Sequence, residues 1–270
     1  MSDRKRSIRQ RSRGCLSTLF AILLIYYGVQ AFMRTPAVSS FQSIAHRGGR
    51  AHAPENTMAA FRNAVAKGID WLEFDVQMSS DGSLVVIHDE TVDRTTDGTG
   101  AVRDLTLEKI RSLDAGEGEK VPTFEEVLEL AKASGVKIMP EAKSAHLYPG
   151  LEAKMLEALE KEDYLDQAVI QSFEADSLNT FHELNPQARL CALYGLGGFN
   201  VSDPAGDAQY ICPMGEMVLL DPGIIRRAHW DGRQVFVWFG ALEKPATGSV
   251  MRFFGADGLI VDDPWPANGK

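Results

Sequence analysis

From residue 43 to the C-terminus, short runs of β-forming residues alternate with longer runs that have helical periodicity. Eight runs are predicted to be strands of one sheet, over residues 43–46, 71–77, 136–143, 168–173, 188–194, 217–220, 234–239 and 258–261. Helices are predicted between most of these strands, over residues 57–67, 106–112, 123–133, 151–161, 175–184, 223–229 and 242–254. Strands that alternate with helices favour a parallel sheet, because each connection between parallel neighbours has to cross over.

The alternation covers about 230 residues, which is within the usual size of a closed (β/α)₈ TIM barrel. The rival arrangement is a doubly wound open sheet, which usually carries a glycine-rich phosphate loop after its first strand; the segment GGRAHAPENT does not have that pattern. Residues 84–88 are predicted to add a locally paired strand, and segment 195–216 to form an active-site loop or a degenerate βα unit. We therefore predict an α/β protein whose barrel domain covers residues 43–266.

The N-terminus differs in character from this domain. Residues 1–14 form a basic segment with six arginines and lysines against one aspartate, and residues 15–33 contain no charged side chain. A helix over 15–33 would be about 28 Å long, close to the thickness of the hydrocarbon core of a membrane. The sequence thus predicts a transmembrane signal-anchor helix at 15–33, which attaches the protein to the membrane, and a tether at 34–42.

Positive charge before such a helix predicts a single-pass protein with its N-terminus in the cytoplasm and its barrel on the exported, periplasmic or extracytoplasmic side. The alternative is a cleaved signal peptide, because Val29-Gln30-Ala31 resembles a small-residue cleavage site, and cleavage would release a secreted domain.

The rest of the chain is acidic, with 22 basic and 36 acidic side chains and a net charge of −14. This balance argues against nucleic acid as a partner, because surfaces that bind nucleic acid are basic. No protein partner is predicted. The barrel domain contains Cys191 and Cys212, which an oxidising compartment would allow to pair; we predict instead that they are two buried free thiols.

Carboxylates occupy alternate positions of the second predicted strand, WLEFDVQ. Side chains at positions i and i+2 of a strand share a face, so Glu73 and Asp75 point the same way. Two carboxylates that point into a barrel are unfavourable unless they bind a cation. Glu141, near the end of the third barrel strand, would complete a set of oxygen ligands that suits Mg²⁺ or Ca²⁺ better than zinc. Lys143 shares the face of Glu141 and can contact a substrate phosphate.

Two histidines lie at strand ends close to these carboxylates in the sequence. His46 ends the first predicted strand, and His88 ends the run VVIH. Histidine changes its protonation state near pH 7, so a pair of histidines beside a cation site suits acid–base catalysis of phosphodiester hydrolysis. Arg47 can clamp phosphate oxygens in a bidentate manner. Glu55 has two interpretations, as a neighbour of the metal or the substrate hydroxyls and as part of a helix start.

The run HRGGRAHAPENTMAAFRNAVAKGIDWLEFDVQMSSDGSLVVIHDETVDRTTDGTG resembles the signature of the glycerophosphodiester phosphodiesterase (GDPD) family. It carries the His-Arg, Pro-Glu-Asn, Glu-x-Asp and His-Asp elements of that family in order. The resemblance continues to residue 264 through shorter matches such as Gln171-Ser172-Phe173 and the segment DGLIVDDP.

The resemblance implies a TIM barrel and three groups of site residues. The catalytic pair would be His46 and His88. The ligands of a divalent cation, Mg²⁺ or Ca²⁺, would be Glu73, Asp75 and Glu141. The residues that contact phosphate, metal or glycerol hydroxyls, or that line the substrate cleft, would be Arg47, Glu55, Lys143 and Trp238.

By the same resemblance the chain is an enzyme that hydrolyses small glycerophosphodiesters to sn-glycerol 3-phosphate and an alcohol. One alternative is a lysophospholipase D, which would use the same site on lysophospholipids in a membrane. A second alternative is a non-catalytic protein that binds phospholipid headgroups. The sequence departs from the family after Val237-Trp238, where a Thr-Val-Asn type sequence is usual and Phe239-Gly240-Ala241 stands here. This departure lies on the side that would hold the alcohol.

Overall fold

The computed structural model describes residues 18–33 and 41–265. The predicted basic segment 1–14, residues 15–17 of the predicted membrane segment, residues 34–40 of the predicted tether and residue 266 lie outside the described residues. The strands are β1 (Gln42–Ala45), β2 (Trp71–Met78), β3 (Leu84–Val86), β4 (Lys137–Ala142), β5 (Ile170–Ser172), β6 (Leu190–Tyr194), β7 (Tyr210–Pro213), β8 (Gln234–Trp238) and β9 (Gly258–Val261). The α-helices are α1 (residues 18–32), α2 (Met58–Ala66), α3 (Leu107–Ser112), α4 (Phe124–Ser134), α5 (Leu151–Lys161), α6 (Ala175–Leu184), α7 (Gly215–Leu220), α8 (Gly223–Trp230) and α9 (Pro245–Phe254).

The strands form one sheet that closes on itself. Its order is β1-β9-β8-β7-β6-β5-β4-β2-β3, and β1 pairs in parallel with both β9 and β2. The remaining neighbours also pair in parallel, except that the short β3 pairs antiparallel with β2. Eight parallel strands with intervening helices form a (β/α)₈ barrel, so the predicted fold class is confirmed. The locally paired extra strand is confirmed as β3.

Inward-facing side chains change in character along each barrel strand. Trp71 on β2 and Met139 on β4 belong to one buried apolar cluster that fills the barrel interior. Two residues further along, on the same face, stand Glu73 and Glu141. A second apolar cluster lies between the outer face of the sheet and the helices. The barrel is therefore filled by apolar side chains towards its amino-terminal end, and it presents polar ones where the βα loops begin.

Helix α4 begins with a capping box. The Thr123 hydroxyl accepts a hydrogen bond from the Glu126 N–H, and the Glu126 carboxylate accepts one from the Thr123 N–H. These bonds satisfy two backbone donors that a helix start would otherwise leave unpaired.

The sixth barrel strand lies at a different place from the one predicted. Residues 217–220, predicted as a strand, belong to helix α7, and the strand is β7, Tyr210–Pro213, inside the segment predicted as a loop or degenerate unit. A short apolar run such as MVLL has no periodicity that separates a strand from a buried helix. Pairing with β6 and β8 decides the structure, because it gives β7 its ladder partners on both sides.

No helix in the described part of the chain is long and apolar enough to cross a membrane, so the transmembrane helix predicted over 15–33 is not supported. Helix α1 covers residues 18–32 of that predicted segment. Its tyrosines contact the barrel domain, since Tyr26 donates to Asp221 and Tyr27 to the Leu219 carbonyl.

The two barrel cysteines form a disulfide, so the prediction of free thiols is wrong. Cys191 on β6 and Cys212 on β7 are joined, with their Cα atoms 6.2 Å apart. The register sets Cys212 opposite Leu193, which shares the inward face of Cys191. Both sulfur atoms therefore point into the same layer of the barrel interior, at a separation that a disulfide can span. The sequence did not reveal this juxtaposition because the position of β7 was mispredicted.

We expect loss of this disulfide to lower the free energy of unfolding by about 3 kcal/mol, because a cross-link over 21 residues restricts the unfolded chain. Urea unfolding of the double variant Cys191→Ala, Cys212→Ala would measure the change. The control is the same comparison under reducing conditions, where most of the difference should disappear. The sequence has three cysteines, so three titratable thiols in the unreduced, denatured wild-type protein would contradict the disulfide, which predicts one.

Candidate active site

The carboxyl ends of the barrel strands surround a cavity of about 250 Å³. One part of its lining is charged or imidazole-bearing and consists of His46, Arg47, Arg50, Glu73, His88, Glu141 and Lys143. Another part is apolar and includes Phe173, Leu193, Trp238, Phe239 and Ile260. The structure therefore brings most of the sequence-predicted site residues to one cavity, at the end of the barrel where the active sites of such folds lie.

Three carboxylates form the centre of the charged part. Glu73, Asp75 and Glu141 each have one oxygen within 4.8 Å of the others, and their exposed fractions are 2%, 1% and 6%. The parallel register of β2 and β4 sets Asp75 directly opposite Glu141. Burial raises the pKa of Glu73 well above its usual range, and the neighbouring carboxylates raise it further. Burial, together with Asp75, also raises the pKa of Glu141 to about 7 against the opposing ammonium of Lys143.

Positive groups and amides hold this cluster in place. Lys143 Nζ lies 2.9 Å from Glu141 Oε1 and 3.6 Å from Asp75 Oδ1, and Arg47 Nε lies 3.4 Å from Asp75 Oδ2. Burial alone would raise the pKa of Asp75, but Lys143 and Arg47 outweigh it and lower the pKa. Asn56 Nδ2 donates to Asp75 at 2.8 Å, and Gln171 Nε2 donates to Glu73 at 2.9 Å.

A tight turn after β1 positions Arg47. Its backbone is left-handed, with φ of 51°, and its N–H donates to Glu73 Oε2 at 2.7 Å. Gly48 follows with φ of 82°, and a Cβ there would lie 2.8 Å from side-chain atoms of both Ala60 and Phe61 on helix α2. Glycine is thus required for the turn to pack on α2. This turn brings the N–H and the guanidinium of Arg47 to the carboxylate cluster.

Each of the two predicted catalytic histidines contacts a carboxylate through Nδ1. His46 Nδ1 lies 2.6 Å from Asp262 Oδ1, and His88 Nδ1 lies 2.6 Å from Asp89 Oδ1. This contact places the Nδ1 proton against the carboxylate and leaves Nε2 of each ring for proton transfer. Burial lowers the pKa of His88, and the positive charges of Lys143 and Arg47 lower it further against the pull of Asp75. His88 is therefore neutral at pH 7 and ready to accept a proton.

Glu55 lies away from the cavity lining. Its carboxylate is 2.8 Å from Arg47 Nη1 and 2.7 Å from Arg94 Nη2, and Arg94 also contacts Asp89. Glu55 thus connects Arg47 with the carboxylate partner of His88, in a chain of ion pairs behind the cavity. Direct contact of Glu55 with metal or substrate stays a prediction.

Trp238 lines the cavity, as the resemblance implies, and it stands beside an aromatic residue that the sequence analysis did not single out. The rings of Trp238 and Phe173 are 5.6 Å apart and nearly perpendicular, at 87°. Trp238 Nε1 donates to the Cys212 carbonyl at 3.1 Å, which fixes the indole plane.

Asp262 and Gln171 are site residues that were not predicted from the sequence. A signal for both was present: each lies two residues after an inward-facing apolar residue, Ile260 and Val169, on the face that carries the predicted site residues. Asn56 had no such signal, because it reaches Asp75 from a turn outside the sheet.

The donor set fits a divalent cation with oxygen ligands. Three carboxylates share one buried site, and two of them have pKa values raised by burial and mutual repulsion. A hard cation relieves that repulsion, and carboxylate oxygens are the ligands that Mg²⁺ and Ca²⁺ prefer. Glu73, Asp75 and Glu141 would hold it.

These features define a class of protein: a (β/α)₈-barrel enzyme that accommodates an anionic substrate beside an acidic cation site. Comparison with known proteins gives the family. Residues 46–265 match the glycerophosphoryl diester phosphodiesterase family, and the chain belongs to it.

Individual relatives agree with this assignment. A glycerophosphodiester phosphodiesterase from Caldanaerobacter subterraneus subsp. tengcongensis is 38% identical over 231 residues, which are 82% of this chain and 93% of the relative. The crystal structure of a glycerophosphodiester phosphodiesterase from Agrobacterium tumefaciens str. C58 has a TM-score of 0.72 at 29% identity and covers 83% of this chain and 97% of that chain. An Oleispira antarctica phosphodiesterase, solved with the product sn-glycerol-3-phosphate, has a TM-score of 0.73 at 26% identity and covers 83% and 94%. The family and the enzyme class predicted from the sequence are confirmed.

We expect Mg²⁺ or Ca²⁺ to raise the melting temperature by several degrees and EDTA to reverse the rise, because a ligand at about 100 times its Kd adds about 2.7 kcal/mol of stability. The rise should be larger at pH 8 than at pH 5. The pKa of Glu141 is raised to about 7, so its protonation stabilises the cation-free fold at low pH, and that contribution is lost as the pH rises through 7.

Scanning calorimetry of Glu141→Gln tests the site itself, since this variant should lose most of the rise. Glu125→Gln is the matched control, because Glu125 is exposed on helix α4. An equal rise in wild-type protein and Glu141→Gln would place cation binding elsewhere.

Proposed function

We propose that the chain hydrolyses glycerophosphodiesters to sn-glycerol 3-phosphate and an alcohol, in a reaction that depends on a divalent cation. One observation carries the proposal: His46 and His88 line the same cavity as Glu73, Glu141 and Lys143. Family membership supports the reaction class, and the product bound to the Oleispira antarctica relative supports the glycerol phosphate half of the substrate.

Each group in the charged part has a role in this proposal. A bound cation would supply Lewis-acid polarisation of a phosphate oxygen. Lys143 and Arg47 offset the charge that develops on the phosphoryl oxygens. One histidine accepts the proton of the attacking group, which is water or the neighbouring glycerol hydroxyl. The other protonates the departing alkoxide as the phosphorus–oxygen bond breaks.

Asp262 and Asp89 act through these histidines. A carboxylate at Nδ1 holds the proton-accepting imidazole in the tautomer that leaves Nε2 without a proton. In the other histidine the carboxylate stabilises the imidazolium, whose Nε2 proton goes to the departing alkoxide. Each histidine has its own carboxylate partner, and the two partners come from different parts of the barrel. Asp262 follows β9, whereas Asp89 follows the β3 hairpin.

A second candidate is a lysophospholipase D that acts through the same site. A second cavity, of about 450 Å³, is lined by Phe41, Leu259, Val261 and Trp265 among others, and it shares Phe239 with the catalytic cavity. An apolar space next to a phosphodiester site is suitable for part of an acyl chain. This observation supports lysophospholipids as further substrates.

We expect the purified protein to release glycerol 3-phosphate from glycerophosphoethanolamine, to stop with EDTA and to recover with Mg²⁺ or Ca²⁺. An enzyme-coupled glycerol 3-phosphate assay measures the release. Parallel assays with a lysophospholipid would show lysophosphatidic acid if the second candidate is correct. Turnover that is insensitive to EDTA would contradict the role of the cation.

The substitutions His46→Ala and His88→Ala should each lower kcat by at least about 100-fold, because each removes a proton-transfer group. The circular dichroism spectrum should stay that of the wild type. His52→Ala is the matched control: His52 pairs with Asp263 at 2.6 Å, as His46 pairs with Asp262, but it is exposed and lies outside the cavity lining. Substantial activity in either test variant would overturn the assigned roles.

A further inference from the structure

The carboxylate that contacts His46 is itself held by a second carboxylate, which has no part in the hydrolysis as described so far. Glu243 Oε1 accepts hydrogen bonds from the backbone N–H groups of Asp262, at 2.8 Å, and of Asp263, at 3.3 Å. Glu243 belongs to the segment between β8 and helix α9, whereas Asp262 and Asp263 follow β9. One side chain therefore ties these two segments together at the residue that pairs with His46.

The other polar groups of Asp262 contact the segment that follows β1. Its Oδ1 lies 2.6 Å from His46 Nδ1, and its Oδ2 lies 2.7 Å from Arg50 Nε. Its carbonyl oxygen accepts a hydrogen bond from the Ala51 N–H at 3.0 Å. Asp262 is thus fixed to Glu243 through its backbone N–H and to the β1 segment through its oxygens. A shift of the Asp262 backbone would move the carboxylate that meets the imidazole.

The segment that carries Glu243 is held in a similar way by the preceding connection of the barrel. Glu216, in the first turn of helix α7, accepts hydrogen bonds from the N–H groups of Gly240, Ala241 and Leu242, at 3.2, 2.7 and 2.8 Å. Burial alone would raise the pKa of Glu216, but these N–H groups outweigh it and lower the pKa. Glu216 therefore binds the start of the segment as a carboxylate.

These contacts follow the rim of the barrel from one connection to the next. We name the set Glu216, Glu243 and Asp262 the carboxylate relay. Its members follow β7, β8 and β9, and the relay ends at His46, which follows β1. The strands β7, β8, β9 and β1 are neighbours in the sheet, so each step joins adjacent connections.

The two histidines differ in how much they depend on such contacts. His88 pairs with the next residue in the chain, Asp89, so local geometry brings the two together. His46 and Asp262 are 216 positions apart, and their pairing depends on where the segment after β9 is held. Burial, together with the charge of Asp262, raises the pKa of Glu243, which shows that its position is unfavourable for a charge. Groups with perturbed pKa values are concentrated at functional sites.

We propose that Glu243 is a positioning residue for the hydrolysis, because it holds the Asp262 backbone where the Asp262 carboxylate meets His46 Nδ1. This inference rests on the proposed function and adds a residue that acts through Asp262 and His46. The role requires an acceptor for the Asp262 N–H, so an amide oxygen can replace the carboxylate oxygen. Proton transfer depends on the placement of His46, so loss of Glu243 should lower kcat and leave KM almost unchanged.

The first test compares kcat and KM for glycerophosphoethanolamine at a saturating concentration of Mg²⁺ or Ca²⁺. We expect Glu243→Ala to lower kcat by about 10- to 100-fold with KM within about twofold of the wild type, because misplacement of a catalytic group by about 1 Å can cost that much. Glu243→Gln, which keeps the acceptor, should retain most of kcat. Glu125→Ala, at an exposed position on helix α4, is the control and should have the wild-type kcat.

A double-mutant cycle separates positioning from a general effect on the fold. In an Asp262→Ala background, Glu243→Ala should change kcat by less than about twofold, because the residue through which it acts is already absent. In an Asp89→Ala background the full loss should remain. An equal loss in both backgrounds would overturn the inference, as would an equal loss in Glu243→Gln and Glu243→Ala. Glu243→Leu, which keeps the bulk of the side chain without an acceptor, replaces Glu243→Ala in the cycle if the latter is unfolded.

A second measurement does not depend on turnover. Proton NMR detects the imidazole N–H that is held against a carboxylate, and the signal of His46 is the one missing from His46→Ala. This signal should persist in Glu243→Gln and should shift or vanish in Glu243→Ala; an unchanged signal in Glu243→Ala would overturn the inference. Hydrolysis of no glycerophosphodiester by the wild type with either cation would contradict the proposed function itself, while the signal would still report whether Glu243 holds Asp262 against His46.

Discussion

The mutual repulsion of three buried carboxylates is the constraint on which the carboxyl end of the barrel depends. The β2–β4 register brings Asp75 opposite Glu141, and the pleat adds Glu73 on the same face. Arg47 and Lys143 supply two positive charges against these three negative ones. The excess negative charge has to be offset by a proton, as the raised pKa of Glu73 indicates, or by a cation. The left-handed turn at Arg47 and the close approach of Gly48 to helix α2 are then understandable as the local geometry that delivers positive charge to the cluster.

Much of the site could be predicted because the direction of the side chains along a barrel strand repeats every two residues. Once an inward-facing apolar residue is identified, the side chain two positions later lies on the same face and nearer the active end. That rule connects Trp71 with Glu73 and Met139 with Glu141. Both glutamates were predicted from the sequence as ligands of a cation. Applied to Ile260 it also reaches Asp262, the partner of His46, which the motif analysis did not select as a site residue.

The features that the sequence analysis missed depend on contacts between distant parts of the chain. The strand β7 is recognisable by its two pairing partners and not by its own four residues. The disulfide follows from the register of β6 against β7, so an error in one strand position concealed the cysteine pair as well. Asn56 and Arg94 approach the site from turns and loops, where no periodicity fixes the direction of a side chain.

Different interactions hold the charged and the apolar parts of the cavity in place, and this difference affects how substitutions in each part can change specificity. The charged part depends on the register of paired strands and on a network of ion pairs, so a substitution there leaves a buried charge uncompensated. The apolar part depends on individual side chains, among them Phe173 after β5 and Trp238 at the end of β8, whose rings contact each other. Apolar contacts tolerate exchange of one large side chain for another of similar volume. The departure from the family pattern at Phe239-Gly240-Ala241 falls in this apolar part, since Phe239 and Gly240 line the cavity, and a change there leaves the buried carboxylates in place.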